Sequence, residues 1–269
     1  MSEDREEKEI RTEEPAKERE IGRIATVSID GSPVSYVVAL AAVVAVLAFI
    51  PMSVIVSIGG SFPLSQGVLP LVGFVLGPFA GAAANVIGVV VGIFIAPHTS
   101  GVPFVSVISA ALVAFFAGTM VLGGKRKFWY LINSAFVLIG MIVIGARAVF
   151  INGVRPWVMP AFFAQHIVCL ILYTLPTRKL LSKWISSGNA AKLAASLFIA
   201  TWINSAMINV IGTVFTYYMY NWPEEVFVVL IPVIPVEMIF RSVTGAVIGA
   251  GVITGLRGIG LVKPKNALY

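Results

Sequence analysis

Acidic residues are nearly missing from most of this chain. Ten of its thirteen fall within the first 30 positions, and beyond Asp30 only Glu224, Glu225 and Glu237 remain. Magnesium-dependent prenyl or phospholipid chemistry needs clustered carboxylates, and the long remainder has no aspartate at all. One cysteine, Cys169, cannot form an internal disulfide and reads as packing in an apolar run. The two histidines, His98 and His166, stand far apart with no Cys-His or His-Glu spacing, so no metal site is expected. A serine or zinc hydrolase lacks its base or ligand set here. Gly123-Gly124-Lys125-Arg126-Lys127 has neither the spacing nor the Ser or Thr of a phosphate loop. These absences argue against an enzyme and leave no cofactor expected.

Apolar residues fill the space. The chain is 58% hydrophobic and only 12% charged, against about 25% charged in soluble domains. Its mean hydropathy is +0.94. No aqueous fold could bury that much apolar surface, so a polytopic, all-α bundle in a bilayer is expected. Residues 1–32 are too charged to fold alone and read as a disordered or surface-helical cytoplasmic tail. A secretory signal would place an apolar run close behind a basic start; the chain opens on mixed charge instead, and an uncleaved tail is expected. A helical domain over 33–258 and a short cytoplasmic tail over 259–269 complete the expected organisation.

Apolar segments lie near 34–57, 66–97, 103–122, 128–149, 157–175, 190–220 and 225–257. A bilayer core of ~30 Å needs about 20 helical residues. The segment 66–97 is too long for one span, and Gly77-Pro78 breaks it, because proline can begin a helix but not continue one. Division into 67–76 and 78–96 makes eight membrane segments. With both termini cytoplasmic, Lys125-Arg126-Lys127, then Arg178, Lys179 and Lys183, then Arg257, Lys263 and Lys265 all fall inside, as the positive-inside rule requires. The pI of about 9.5 therefore reflects orientation in a plasma membrane and not nucleic-acid binding.

Small residues four apart mark close helix contacts, since lipid supplies no hydrophobic drive between helices. Such rows are Ala41/Ala45, Gly77/Gly81, Gly88/Gly92, Ala110/Ala114/Gly118 and Gly245/Gly249. Ordinary packing explains all but the first, which is set apart. Ionisable groups within spans cost about 2.5–3.5 kcal/mol at a helix centre and need a partner or a purpose. Glu237 and Arg241 sit four apart, as a neutralised structural pair or as ligand contacts. Pro232 and Pro235 place the start of the last helix at 235, which puts Glu237 in its first turn, where the helix dipole also favours a carboxylate. Arg147, Arg155 and Trp157 could hold an acid-bearing ring or anchor the chain at the interface. His166, Asn85, Asn209 and Gln66 are further candidates, each with interhelical hydrogen bonding as its alternative. Phe62 and Gln66 belong to an outer loop that could cap a pocket.

The stretch Ser61-Phe62-Pro63-Leu64-Ser65-Gln66-Gly67-Val68-Leu69-Pro70, then Gly77-Pro78-Phe79-Ala80-Gly81 and the helix to Ile95, resembles the substrate-binding S components of energy-coupling factor (ECF) vitamin transporters. In that family an alanine-spaced first helix leads to an extracellular loop, a short second helix and a Gly-Pro-x-x-Gly turn. The segment Ser109 to Lys127 and the run Pro235, Glu237, Arg241, Gly245, Gly249 look like the family's pattern too. The resemblance covers 34–127 and 231–258 and implies a six-helix core with two added helices. It further implies a vitamin-binding subunit without ATPase activity, working with a transmembrane coupling subunit and two ATPase subunits. It carries the family's coupling surface onto Ala41 and Ala45, and its pocket onto the outer end of the last helix. A stand-alone secondary carrier or channel for a small organic solute is the competing reading, although its only intramembrane carboxylate would be Glu237.

Overall fold

The computed structural model describes residues 27–55, 60–120, 122, 126–258 and 263–269. Residues 1–26 of the charged tail, and Lys125, lie outside the described residues. The chain is an all-α polytopic bundle with two small hairpins. Strands β1 (Ser28–Ile29) and β2 (Ser32–Pro33) pair antiparallel ahead of α1 (Val34–Leu47). A second hairpin, β3 (Pro51–Ile55) with β4 (Gly60–Pro63), leads through a 3-10 turn at Leu64–Gly67 to α2 (Leu69–Leu76). Then follow α3 (Pro78–Ile95), α4 (Pro103–Thr119), α5 (Trp129–Phe150), α6 (Val158–Thr174), α7 (Thr177–Ile185), α8 (Ala190–Tyr220) and α9 (Glu224–Gly258).

Among the described residues four helices, α3, α5, α8 and α9, have the length and apolarity to cross a bilayer, and α6 with α7, bent by 74°, would make a fifth. Helices α1 and α4 are apolar but shorter. Large apolar side chains cover the outside: Phe94 is 81% exposed, Phe150 86% and Val247 70%. A surface of that kind belongs in lipid, and the protein is embedded in a membrane.

Helices stand at all eight predicted positions, with three differences. The first apolar segment does not run on to 57: α1 stops at Leu47, and Pro51, which cannot continue a helix, opens the β3–β4 hairpin. The segment holding Arg178, Lys179 and Lys183 is not a plain loop but the amphipathic helix α7, with Leu181 and Ile185 buried. The last helix begins at Glu224 and not at 235; Pro232 and Pro235 lie inside it. Each proline removes one backbone bond, yet an unwound segment in lipid would free many more, so the helix persists.

Helix α2 is the centre of the bundle, buried at every one of its residues. Glycines let its neighbours reach it. A Cβ on Gly73 would overlap the Ala114 carbonyl of α4, and one on Gly118 would overlap the backbone at Gly77-Pro78. Gly77 has φ +84°, a conformation that favours glycine, and it turns the chain between α2 and α3. Gly88 and Gly92 of α3 receive α1, whose inward face is Val37, Ala41, Val44, Ala45 and Ala48. Ala41 and Ala45 are thus 3% and 7% exposed and spent on packing inside the chain, which corrects their assignment to a partner surface. The outward face of α1 is Ser35, Val38, Ala39, Ala42, Val43 and Val46.

Residues 263–269 are not a free tail. Leu268 N donates to Phe74 O at 2.8 Å, Ser186 Oγ donates to Leu268 O at 2.6 Å, and Asn266 Nδ2 donates to Asp30. Asp30 also holds Arg126 through both carboxylate oxygens, at 2.9 and 3.0 Å. The basic residues Arg126, Arg178 and Lys265 therefore share one end of the bundle with the start of α1.

Gly73→Ala and Gly118→Ala should each cost about 1–3 kcal/mol, the usual penalty of forced overpacking. Gly145→Ala on α5, where an added Cβ meets nothing within 4 Å, should be neutral or slightly stabilising. Unfolding in mixed detergent micelles measures both, and equal effects at the three sites would contradict the packing described.

Candidate functional site

The end of the bundle opposite the basic cluster holds a cavity of about 140 Å³. Its walls are α4, α8 and α9, and residues 62–66 close it from the side of the second hairpin. Helix periodicity builds each wall. Along α8, Asn209, Thr213, Thr216 and Tyr220 recur every three or four residues on one face, and along α9 Leu230, Ile234, Glu237 and Arg241 do the same. From α4 come Val105, Ser106 and Ser109. Gly67 and Gly245 permit the close approach behind the site: a Cβ on Gly67 would stand 2.8 Å from Arg241 O, and one on Gly245 2.7 Å from Gly67 O.

Glu237 and Arg241 are 8% and 6% exposed, and Arg241 Nη2 lies 3.8 Å from Glu237 Oε2. That is an ion-pair distance but too long for a hydrogen bond. Arg241 Nε and Nη2 are buried without any hydrogen-bond partner, and the guanidinium lies 4.4 Å from the centroid of the Phe62 ring. Because α9 starts at Glu224, Glu237 is more than three turns inside it, out of reach of the helix N-terminus. The carboxylate therefore depends on Arg241 and on whatever occupies the cavity.

Four of the predicted site residues line this cavity: Gln66, Asn209, Glu237 and Arg241. His166 stands one shell behind. Its Nδ1 is 3.2 Å from Phe162 O and its Nε2 3.0 Å from Asn209 Oδ1. Both partners are oxygens that accept, and in the shorter contact Nε2–H donates to Asn209 Oδ1, which fixes that side chain at the cavity wall.

The other candidates go elsewhere. Asn85 is fully buried away from the cavity and donates to Leu69 O and Ala110 O, both at 3.0 Å, tying α3 to α2 and α4. Arg147 donates to Asn221 Oδ1 at 3.0 Å and stacks 4.1 Å from the centroid of Tyr218. Arg155 is paired with Glu224, its Nε donating to Oε1 at 2.6 Å and its backbone N to Oε2 at 2.8 Å. Those hydrogen bonds raise the Arg155 pKa further above its ordinary value. Trp157, 55% exposed beside it, has the position of an interfacial anchor.

Sequence reasoning missed Ser106, Ser109, Thr213, Thr216, Tyr220 and Trp222 as lining residues. The helical spacing of Asn209, Thr213, Thr216 and Tyr220 was the available signal; hydroxyl residues are so common in membrane helices that each alone carries little weight. Among the described residues, no group of three or more metal-ligating side chains occurs. Neither a protein-family model, a curated protein nor a solved structure matches the chain.

Cysteines placed at Ser109 and Thr216 should react with a small methanethiosulfonate applied from the side of the second hairpin. A cysteine at Asn85, and the native Cys169, buried at 0% exposure, should not. Labelling measured by mass spectrometry checks this, and equal reactivity at Asn85 would show that the cavity is wrongly drawn.

Proposed function

We propose that this protein is the membrane-embedded substrate-binding subunit of an ATP-driven importer of the ECF type, without ATPase activity of its own. The observation that carries the reading is the roofed cavity at the end opposite the basic cluster: a loop between the first two helices closes over it, and a buried, incompletely satisfied charge pair lies in its wall. By the positive-inside rule the basic end is cytoplasmic, so the cavity faces outward in a plasma membrane and both termini lie inside. A hairpin followed by a short central helix and a Gly-Pro turn has the order expected of an S component. Helices α5 to α8 hold the material beyond a six-helix core, and α8 gives one wall of the cavity.

Energy would come from ATPase subunits acting through a transmembrane coupling subunit. With Ala41 and Ala45 spent on packing inside the chain, we read the docking surface for that subunit on the outward face of α1, at Ala39 and Ala42. Small side chains there permit close approach of a second membrane protein. A stand-alone proton-coupled carrier is the second reading, favoured by one observation: the lone intramembrane carboxylate, Glu237, lies in the cavity wall.

Ala39→Trp and Ala42→Trp, expressed in the native host, should lose at least nine-tenths of the ATPase subunits that copurify with the wild type, and leave small-molecule binding within about twofold. Quantitative mass spectrometry of affinity-purified protein measures both. An unchanged set of partners in both variants, or none with the wild type, would sink the importer reading and leave the carrier.

A further inference from the structure

Two arginine–glutamate pairs in this protein are built differently. At the exposed Arg155–Glu224 pair the groups close on each other, with hydrogen bonds from both the guanidinium and the backbone. At the buried Arg241–Glu237 pair, where burial makes an unmet charge most costly, they stand 3.8 Å apart and two guanidinium nitrogens have no hydrogen-bond partner. A pair kept only for structure would be expected to close. Both residues line the cavity, and the Phe62 ring covers the guanidinium, so the edge of the guanidinium beside the Glu237 carboxylate is what remains to be satisfied.

What would satisfy it follows from charge and geometry. The pair is neutral as a unit, so a carboxylate ligand would gain Arg241 but sit against Glu237, and an amine would gain Glu237 but sit against Arg241. Either leaves a net charge in a low-dielectric site. A neutral group with an acceptor and a donor side by side meets both: its oxygen accepts from Arg241 while its N–H donates to Glu237. In a planar amide these two atoms are about 2.2 Å apart, close enough to address both members of a 3.8 Å pair at once. Tyr220 and Trp222, also in the wall, add apolar aromatic surface suited to a flat ring.

We infer that the cavity selects a small, planar, uncharged ligand carrying a C(=O)–NH edge, read by Arg241 and Glu237 together. This rests on the reading of the cavity as a ligand site, but not on how transport is energised. The probes are benzamide, benzoate and benzamidine, equal in size and shape and differing in charge. Binding to purified full-length protein, measured by calorimetry or thermal shift, should favour benzamide at least tenfold over each of the others. Glu237→Gln should shift the preference at least tenfold toward benzoate, and Arg241→Met should shift it toward benzamidine; size-exclusion profiles show whether each variant is folded. Should either fail to fold, the order in the wild type alone decides. Benzoate or benzamidine binding as tightly as benzamide, or no probe binding at millimolar concentration, overturns the inference. The importer reading is scored separately by the copurifying ATPase subunits, so the two can fail independently.

Discussion

Everything in this molecule depends on how closely backbones can approach one another without help from water. Inside a bilayer, burying apolar surface against another helix gains little over burying it in lipid, so association rests on contact and on the few polar groups that need partners. The contacts are tightest around α2, where Gly73, Gly81 and Gly118 bring α3 and α4 within backbone distance. Asn85 then ties α3 to the carbonyls of Leu69 and Ala110, so one amide joins three helices at their crossing.

The same device creates the cavity. Gly67 against Gly245 lets the segment after the second hairpin descend along α9 as far as Arg241, and this brings Phe62 over the guanidinium and Gln66 into the wall. Bulkier residues at either glycine would push the segment away and open the roof. The polar content of the bundle is divided by this arrangement. Asn133, Thr119 and Tyr173 satisfy one another near the basic end, with Asn133 Nδ2 donating to Thr119 Oγ1 at 2.7 Å and to Tyr173 Oη at 3.0 Å. At the opposite end Arg241 and Glu237 do not reach a hydrogen-bonded arrangement. A polar knot that closes holds helices together; one that stays open facing a cavity is suited to a ligand.

Much of the fold was legible in the sequence, because hydropathy and proline report directly on helix length and ends. The Gly77-Pro78 break and the bounds of α8 are examples. Helix rotation was harder to read. On α1 both faces are apolar, since one meets protein and the other lipid, so Ala41/Ala45 and Ala39/Ala42 could not be told apart without the position of α3. Proline also misled at 232 and 235: its local cost is real, but in lipid it competes with the larger cost of unwinding. At the site, the ionisable pair was found because charge is scarce in the spans. The hydroxyls of α4 and α8 were not, because such residues are tolerated throughout membrane helices. Arg147 and Arg155 matched the chemistry of an acid-binding site but found partners in Asn221 and Glu224, far along the chain.

The central claim is that the cavity holds a small molecule from outside and that Arg241 and Glu237 are its polar contacts. The most direct measurement is native mass spectrometry of the protein released from its own membranes. The account predicts one small uncharged compound, retained at one copy per chain by the wild type and lost from folded Glu237→Gln. Wild-type protein that never carries a bound compound, or a compound held equally by the variant, would contradict it.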